Sequence, residues 1–144
     1  MEEQRCILFV DDDEKILKSL QRGFLDEPYK TYCATSGKEA LKILERREIH
    51  VLVTDMRMPE MSGIELLRIV KEEYPRIVRL VLSGYTQVGT LLTAINQGEI
   101  FKFITKPWKL EDEFKSIIKE ALARYDAQVE SEKTAEAPVT SDAS

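Results

Sequence analysis

Three consecutive aspartates, Asp11, Asp12 and Asp13, close an apolar run at Cys6–Val10, and Asp55 closes a second run at Val51–Thr54. Two further runs end in complementary groups: Ser83 follows Val78–Leu82, and Lys106 follows Phe101–Ile104 by way of Thr105. If these runs lie side by side, the acids converge. Two carboxylates 4 Å apart repel by about 4 kcal/mol at an effective dielectric near 20, so such a cluster calls for a cation. An all-oxygen donor set suits Mg²⁺, with Mn²⁺ as its substitute, and not zinc, which prefers His and Cys. A cation there would neutralise both Asp55 and an incoming phosphoryl group, permitting the carboxylate to attack phosphorus. Lys106 would balance the acids at rest and bind a phosphoryl oxygen afterwards, with the Ser83 hydroxyl at the neighbouring strand end.

Each residue also has a plainer reading. Asp13 suits the start of a helix, where acids favour the dipole and cap free amides. Asp55 could be a turn residue, Lys106 a solvated charge and Ser83 a helix cap. Folding does not require that four of five strand ends carry ionisable or hydroxyl groups, and this coincidence favours the chemical reading.

The elements that would position these groups follow from the apolar pattern. Short runs predict strands at Cys6–Val10, Thr31–Ala34, Val51–Thr54, Val78–Leu82 and Phe101–Ile104. Between them, helical periodicity predicts helices over 13–26, 37–48, 63–73, 87–97 and 109–126. The last is the clearest, with Leu110, Phe114, Ile117, Ile118, Ala121, Leu122 and Tyr125 on one stripe. Ser36, Ser62 and either Ser83 or Thr86 are the expected caps of the second, third and fourth helices. Five strand–helix alternations imply a parallel sheet with helices on both faces, and right-handed crossovers make it a doubly wound α/β sandwich. In such folds ligands bind outside the carboxyl ends of the strands, where the candidate residues lie. The mixed strand Thr31–Ala34 suits an edge; the first, third and fourth strands are apolar on both faces, as interior parallel strands are.

Composition bounds the rest. The chain has 144 residues, 43% hydrophobic and 33% charged, which suits one domain with a core and a short appendage. No apolar run approaches the roughly 18 residues of a membrane span, and Met1–Arg5 does not open a signal peptide. Cys6 and Cys33 lie in strand-like runs and read as buried free thiols, consistent with a cytoplasmic location. The net charge is −5, carried mostly by the acids of residues 126–144. The remainder has no clustered basic surface, so direct nucleic-acid binding by this chain is not expected. After Tyr125 periodicity stops and Ala, Glu, Ser and Thr dominate. The expected division is a domain over 1–126 and a disordered tail or linker start over 127–144.

With these residues in place the chain resembles the receiver domains of bacterial two-component response regulators. The resemblance covers residues 5–126 and rests on ILFVDDDEKIL, VTDMRMPEMSG, LSG and FITKP in order and at family spacing. It implies a flavodoxin-like (βα)5 fold with strand order 2-1-3-4-5 and a signalling domain that catalyses only its own phosphotransfer and dephosphorylation. Asp55 would accept the phosphoryl group from a sensor histidine kinase or a phosphotransfer protein. Asp12 and Asp55 would bind Mg²⁺ directly, Asp11 through water and Arg57 through its backbone carbonyl. Ser83 and Lys106 would hold the phosphoryl oxygens, and Phe103 would be the aromatic residue that turns inward with Ser83. The Lys106–Pro107 bond is typically cis in such domains. The stretch 98–108 is similar to receivers joined to cyclic-dinucleotide phosphodiesterase or transcriptional modules.

The segment 87–97 carries no charge and includes Gly89, Thr90 and Thr93, all poor helix formers. A marginal helix beside Ser83 suits a switch. The face of the fourth helix, fifth strand and fifth helix is therefore the expected output surface, through homodimerisation or partner docking.

Rival chemistries fit less well. A haloacid-dehalogenase-type phosphatase would use Asp11 and Asp13, but it wants Thr or Val where Lys15 stands. A flavin binder needs a Gly- and hydroxyl-rich loop where three acids stand, and no G-x-x-x-x-G-K-[ST] loop is present. His50, the single histidine, precedes the third strand at the wrong end for catalysis and reads as structural.

Overall fold

The structure is a computed structural model that describes residues 4–83, 88–98, 100–105 and 113–142. Strands β1 (Cys6–Val10), β2 (Lys30–Ala34), β3 (Val51–Asp55), β4 (Val78–Ser83) and β5 (Lys102–Thr105) alternate with helices α1 (Glu14–Gly23), α2 (Gly37–Arg46), α3 (Gly63–Glu73), α4 (Val88–Asn96) and α5 (Lys115–Asp142). All pairings are parallel, and the strand order is β2-β1-β3-β4-β5, as expected.

Strand alternation divides the core in two. Ile7, Phe9, Val51, Val53 and Leu80 face α1 and α5, where they meet Leu17, Leu20, Phe24, Phe114 and Ile118. Leu8, Val10, Leu52 and Val81 face the other way, onto Ala40 and Leu44 of α2 and Leu66, Leu67 and Val70 of α3. Phe9, Phe24 and Phe114 form an aromatic trio with centroids 5.5–6.1 Å apart, in the tilted and edge-on geometries that ring quadrupoles favour.

The caps work as their residue types dictate. Asp13 accepts from Lys15 N, Ser36 Oγ from Glu39 N and Ser62 Oγ from Glu65 N, each satisfying an amide left orphaned by the first turn. At the other end of α4, two cations from neighbouring elements hold its terminal carbonyls. Lys71 Nζ donates to Gln97 O at 2.8 Å and Arg79 Nη2 to Gly98 O at 3.1 Å, while Gly98 takes the left-handed φ of 74° that glycine tolerates.

Several boundaries differ from expectation by a residue or two, and the larger differences lie in α1 and α5. α1 ends at Gly23 because Phe24 leaves helical geometry and its ring enters the trio. α5 is assigned from Lys115, and residues 109–112, part of the expected helix, lie outside the described residues. α5 also continues through the segment read as a disordered tail, to Asp142. Its apolar stripe does fade, but a nucleated helix extends readily through the Ala- and Glu-rich residues 127–137, whereas Pro138 beyond them lacks an N–H for the helix. Tertiary contacts hold the extension. Val129 packs on the core, Gln128 Nε2 donates to Arg76 O, and Glu132 pairs with Arg76.

Cys6 and Cys33 are not joined in a disulfide, and both are half-buried where full burial was expected. Burial and, less strongly, Glu39 push the Cys33 thiol up to about 11. His50 sits at the amino end of β3, 1% exposed. Its Nδ1 accepts from Cys6 N at 3.0 Å, its Nε2 meets Glu48, and its ring packs edge-on against Tyr125. It braces the bottom of the sheet, far from the carboxyl ends of the strands. No helix among the described residues is long and apolar enough to cross a membrane.

Candidate functional site

Sheet register brings the acids together. Val10 is paired with Thr54, so the next residue of each strand, Asp11 and Asp55, falls at the same rim. Asp11 is tied down by its own amide, which donates to Ala34 O, and its carboxylate accepts from Asp13 N at 2.9 Å. It is only 1% exposed, whereas Asp55 is half-buried and Asp12 is exposed. One carboxylate oxygen from each of Asp11, Asp12 and Asp55 lies within 4.8 Å of the other two. Asp13 is outside this group because its carboxylate caps α1. The triple aspartate therefore divides its labour: two acids join Asp55 and the third starts a helix.

Three hard oxygen donors at this spacing, one of them nearly inaccessible to water, suit a divalent cation such as Mg²⁺. An open cleft lined by Asp12, Asp13, Glu14, Lys15 and Thr35 adjoins them on the solvent side.

The loop from Met56 to Ser62 leaves Asp55 and returns immediately. Gly63 N donates to Met56 O at 2.9 Å, and Met61 N to Pro59 O. Glu60 takes a left-handed φ of 67°, which allows the chain to reverse within a few residues. Gly63 is required by contact and not by its own dihedral angles, since a Cβ there would lie 2.1 Å from Asp55 O. Arg57 is exposed on this loop. Met58 and Met61 pack against the second core cluster.

Ser83 ends β4, paired with Thr105 and 1% exposed. Phe103 is half-buried, paired with Val81 and packed on the second cluster. Lys106, the Lys106–Pro107 bond and Thr86 lie outside the described residues. One residue of the site escaped the sequence reading. Thr54, fully buried, donates from Oγ1 to Asp55 O at 2.9 Å. Its signal was a polar side chain inside the apolar run Val51–Thr54.

Residues 7–123 match the family described as response regulator receiver domain. The chain belongs to that family. The receiver is 36% identical over 129 residues to the hydrogenase transcriptional regulatory protein HoxA of Bradyrhizobium diazoefficiens, covering 90% of this chain and 26% of that protein. Among solved structures it is similar to one described as adenylate cyclase from Rhodopirellula baltica, with 30% identity, a TM-score of 0.87 and coverage of 93% and 98% of the two chains. It is also similar to the signal receiver domain of an HD domain-containing protein from Pseudomonas fluorescens, with 31% identity, a TM-score of 0.81 and coverage of 87% and 99%. The receiver spans about a quarter of the length of the curated relatives it matches. It is a signalling domain of the two-component type, not a classical enzyme.

Proposed function

We propose that this receiver accepts a phosphoryl group on Asp55 and passes the signal through its α4–β5–α5 face. The observation that carries the reading is the convergence of Asp11, Asp12 and Asp55 within 4.8 Å at the carboxyl end of a parallel sheet. Asp12 and Asp55 would hold Mg²⁺ directly, Asp11 through water and Arg57 through its backbone carbonyl. When bound, the ion supplies charge neutralisation between the carboxylates and the phosphoryl oxygens. An Asp55 carboxylate oxygen attacks phosphorus in line; the new O–P bond forms as the N–P bond of a donor phosphohistidine breaks, and the imidazole leaves with a proton. Ser83 and Lys106 take the phosphoryl oxygens by hydrogen bond and charge. Ser83 is drawn toward the phosphoryl group, Phe103 turns into the space it leaves, and α4 shifts.

The donor is a sensor histidine kinase or a phosphotransfer protein in the cytoplasm. The division at 126 stands as a proposal about organisation: residues 1–126 form the receiver domain, and 127–144, into which α5 continues, are a tail or the start of a linker to an output module. HoxA is a transcriptional regulatory protein, so contact with nucleic acid belongs to such a module and not to the receiver. A stand-alone receiver acting by homodimerisation or partner docking through α4–β5–α5 is the second reading, favoured by the neutral α4 and its exposed Leu92.

The test is intact-mass spectrometry after incubation with acetyl phosphate and Mg²⁺, on the wild type and on Asp55→Asn. One added phosphoryl group, dependent on Mg²⁺ and absent from the variant, supports the proposal. Equal labelling of the variant, or labelling indifferent to the ion, removes it.

A further inference from the structure

Thr54 is an anomaly in its strand. Its neighbours across the sheet are Val10 and Val81, the strand around it is apolar, and its side chain is wholly inaccessible. Valine has the same shape and would pack there without placing a hydroxyl away from water, a burial that is unfavourable unless the group is hydrogen-bonded. The hydroxyl has a specific partner, the carbonyl oxygen of Asp55, at 2.9 Å. The same oxygen is confined from another side by the backbone of Gly63, so closely that a Cβ on Gly63 would lie 2.1 Å away. The following carbonyl, Met56 O, accepts from Gly63 N at 2.9 Å. Gly63 N–H therefore holds the 56–57 peptide, while the Thr54 hydroxyl and the Gly63 backbone restrain the carbonyl of the 55–56 peptide.

That peptide links two groups whose relative placement matters. On one side is the Asp55 carboxylate; on the other the chain runs to the backbone carbonyl of Arg57. Rotating the 55–56 peptide plane moves one against the other, because the backbone between them has few soft dihedrals. We propose that Thr54 is a positioning residue, whose hydroxyl sets the orientation of the 55–56 peptide and so the geometry with which Asp55 and Arg57 present oxygen to a divalent cation. The inference rests on the reading of Asp55 as a cation ligand and phosphoacceptor, and it adds a residue that touches neither ion nor phosphoryl group. Hydrogen-bonding partners of this indirect kind are worth roughly 10–100-fold in metal affinity elsewhere.

The test uses the full chain with Thr54→Val, Thr54→Ser and Thr54→Ala. Mg²⁺ affinity of the unphosphorylated protein is measured by calorimetry, labelling by acetyl phosphate by intact mass, and folding by thermal denaturation. The expected result is Mg²⁺ binding weakened about tenfold in Thr54→Val, labelling slowed in parallel, and near wild-type values restored in Thr54→Ser. Should Thr54→Val fail to fold, the Ser and Ala variants decide: only Ser retains the wild-type affinity. Equal Mg²⁺ affinity in Val and wild type, or in Ser and Ala, overturns the proposal, as does a wild type that binds no Mg²⁺. A wild type that binds Mg²⁺ in a Thr54-dependent way but gains no phosphoryl group supports the positioning role while removing the acceptor reading.

Discussion

Gly63→Ala adds one methyl group at the first position of α3, and its effect can be worked from distances. The new Cβ would meet Asp55 O at 2.1 Å, Met56 Cα at 2.9 Å and Asp55 C at 3.0 Å. Even the closest C–H···O contacts keep carbon and oxygen about 3.3 Å apart, so the first overlap exceeds about 1 Å. All three obstacles are backbone, and the backbone cannot swing aside as a side chain can. Overpacking of this kind costs about 1–3 kcal/mol, with rigid neighbours toward the upper end. Replacing glycine by alanine within a helix returns about 1 kcal/mol, leaving a net loss of about 2 kcal/mol. For a domain of this size that lowers Tm by roughly 8 °C. The Asp55 carbonyl is what must move, so labelling by acetyl phosphate should slow as well. Gly37→Ala is the internal control. Its Cβ meets only side-chain atoms of Met61, Sδ at 2.6 Å, Cγ at 3.1 Å and Cβ at 3.2 Å; the sulfur can turn away and the other two need give by only a few tenths of an ångström. Melting curves by circular dichroism and timed intact-mass labelling read both effects. A Gly63→Ala protein as stable as wild type and labelled at the same rate would refute the argument from contact, whatever Gly37→Ala does.

Gly89 lies on the exposed side of α4 and a Cβ there meets nothing within 4 Å, so Gly89→Ala should stabilise α4 by about 0.5–1 kcal/mol; amide exchange in 89–96 slows if this is right. His50→Phe removes the acceptor of Cys6 N–H beneath the sheet and should cost about 1–3 kcal/mol by denaturant titration, with Asp55 labelling unchanged because the site is at the other end of the strands. Cys33, pushed up to about 11 chiefly by burial, should be alkylated by iodoacetamide at a rate that climbs through pH 10, where an ordinary thiol has levelled off. The linked stability is present in full below pH 9, the thiol's ordinary value, and is lost as pH rises toward 11; comparing wild type with Cys33→Ser by melting at pH 8 and pH 10.5 reads it.

Much of this molecule is written locally. Apolar runs of strand length alternating with helical stripes determine the parallel sandwich, because burial on both sheet faces needs continuous apolar strands. Ser36, Ser62 and Asp13 mark helix starts through hydrogen bonds that span three residues or fewer. The acids at the strand ends are legible because the carboxyl rim of such a sheet is where chemistry collects. Tertiary structure decided the rest. Pairing of Val10 with Thr54 is a contact across 44 positions, and it alone sets Asp11 beside Asp55. The division of the three adjacent aspartates, by contrast, was legible beforehand, since Asp13 reads as the cap that it is and leaves Asp11 and Asp12 for the site. Gly63 reads in sequence as a turn residue, yet its necessity comes from Asp55 O lying against it in space. Thr54 looks like a strand residue until its hydroxyl is seen on that same carbonyl. The extension of α5 past residue 126 is invisible to periodicity, because Gln128 and Glu132 find their partner in Arg76, some fifty residues away in the chain, while Val129 packs on the core. Periodicity reports which face of an element is buried; register and close approach depend on the neighbour it is buried against, and only the folded chain supplies that neighbour.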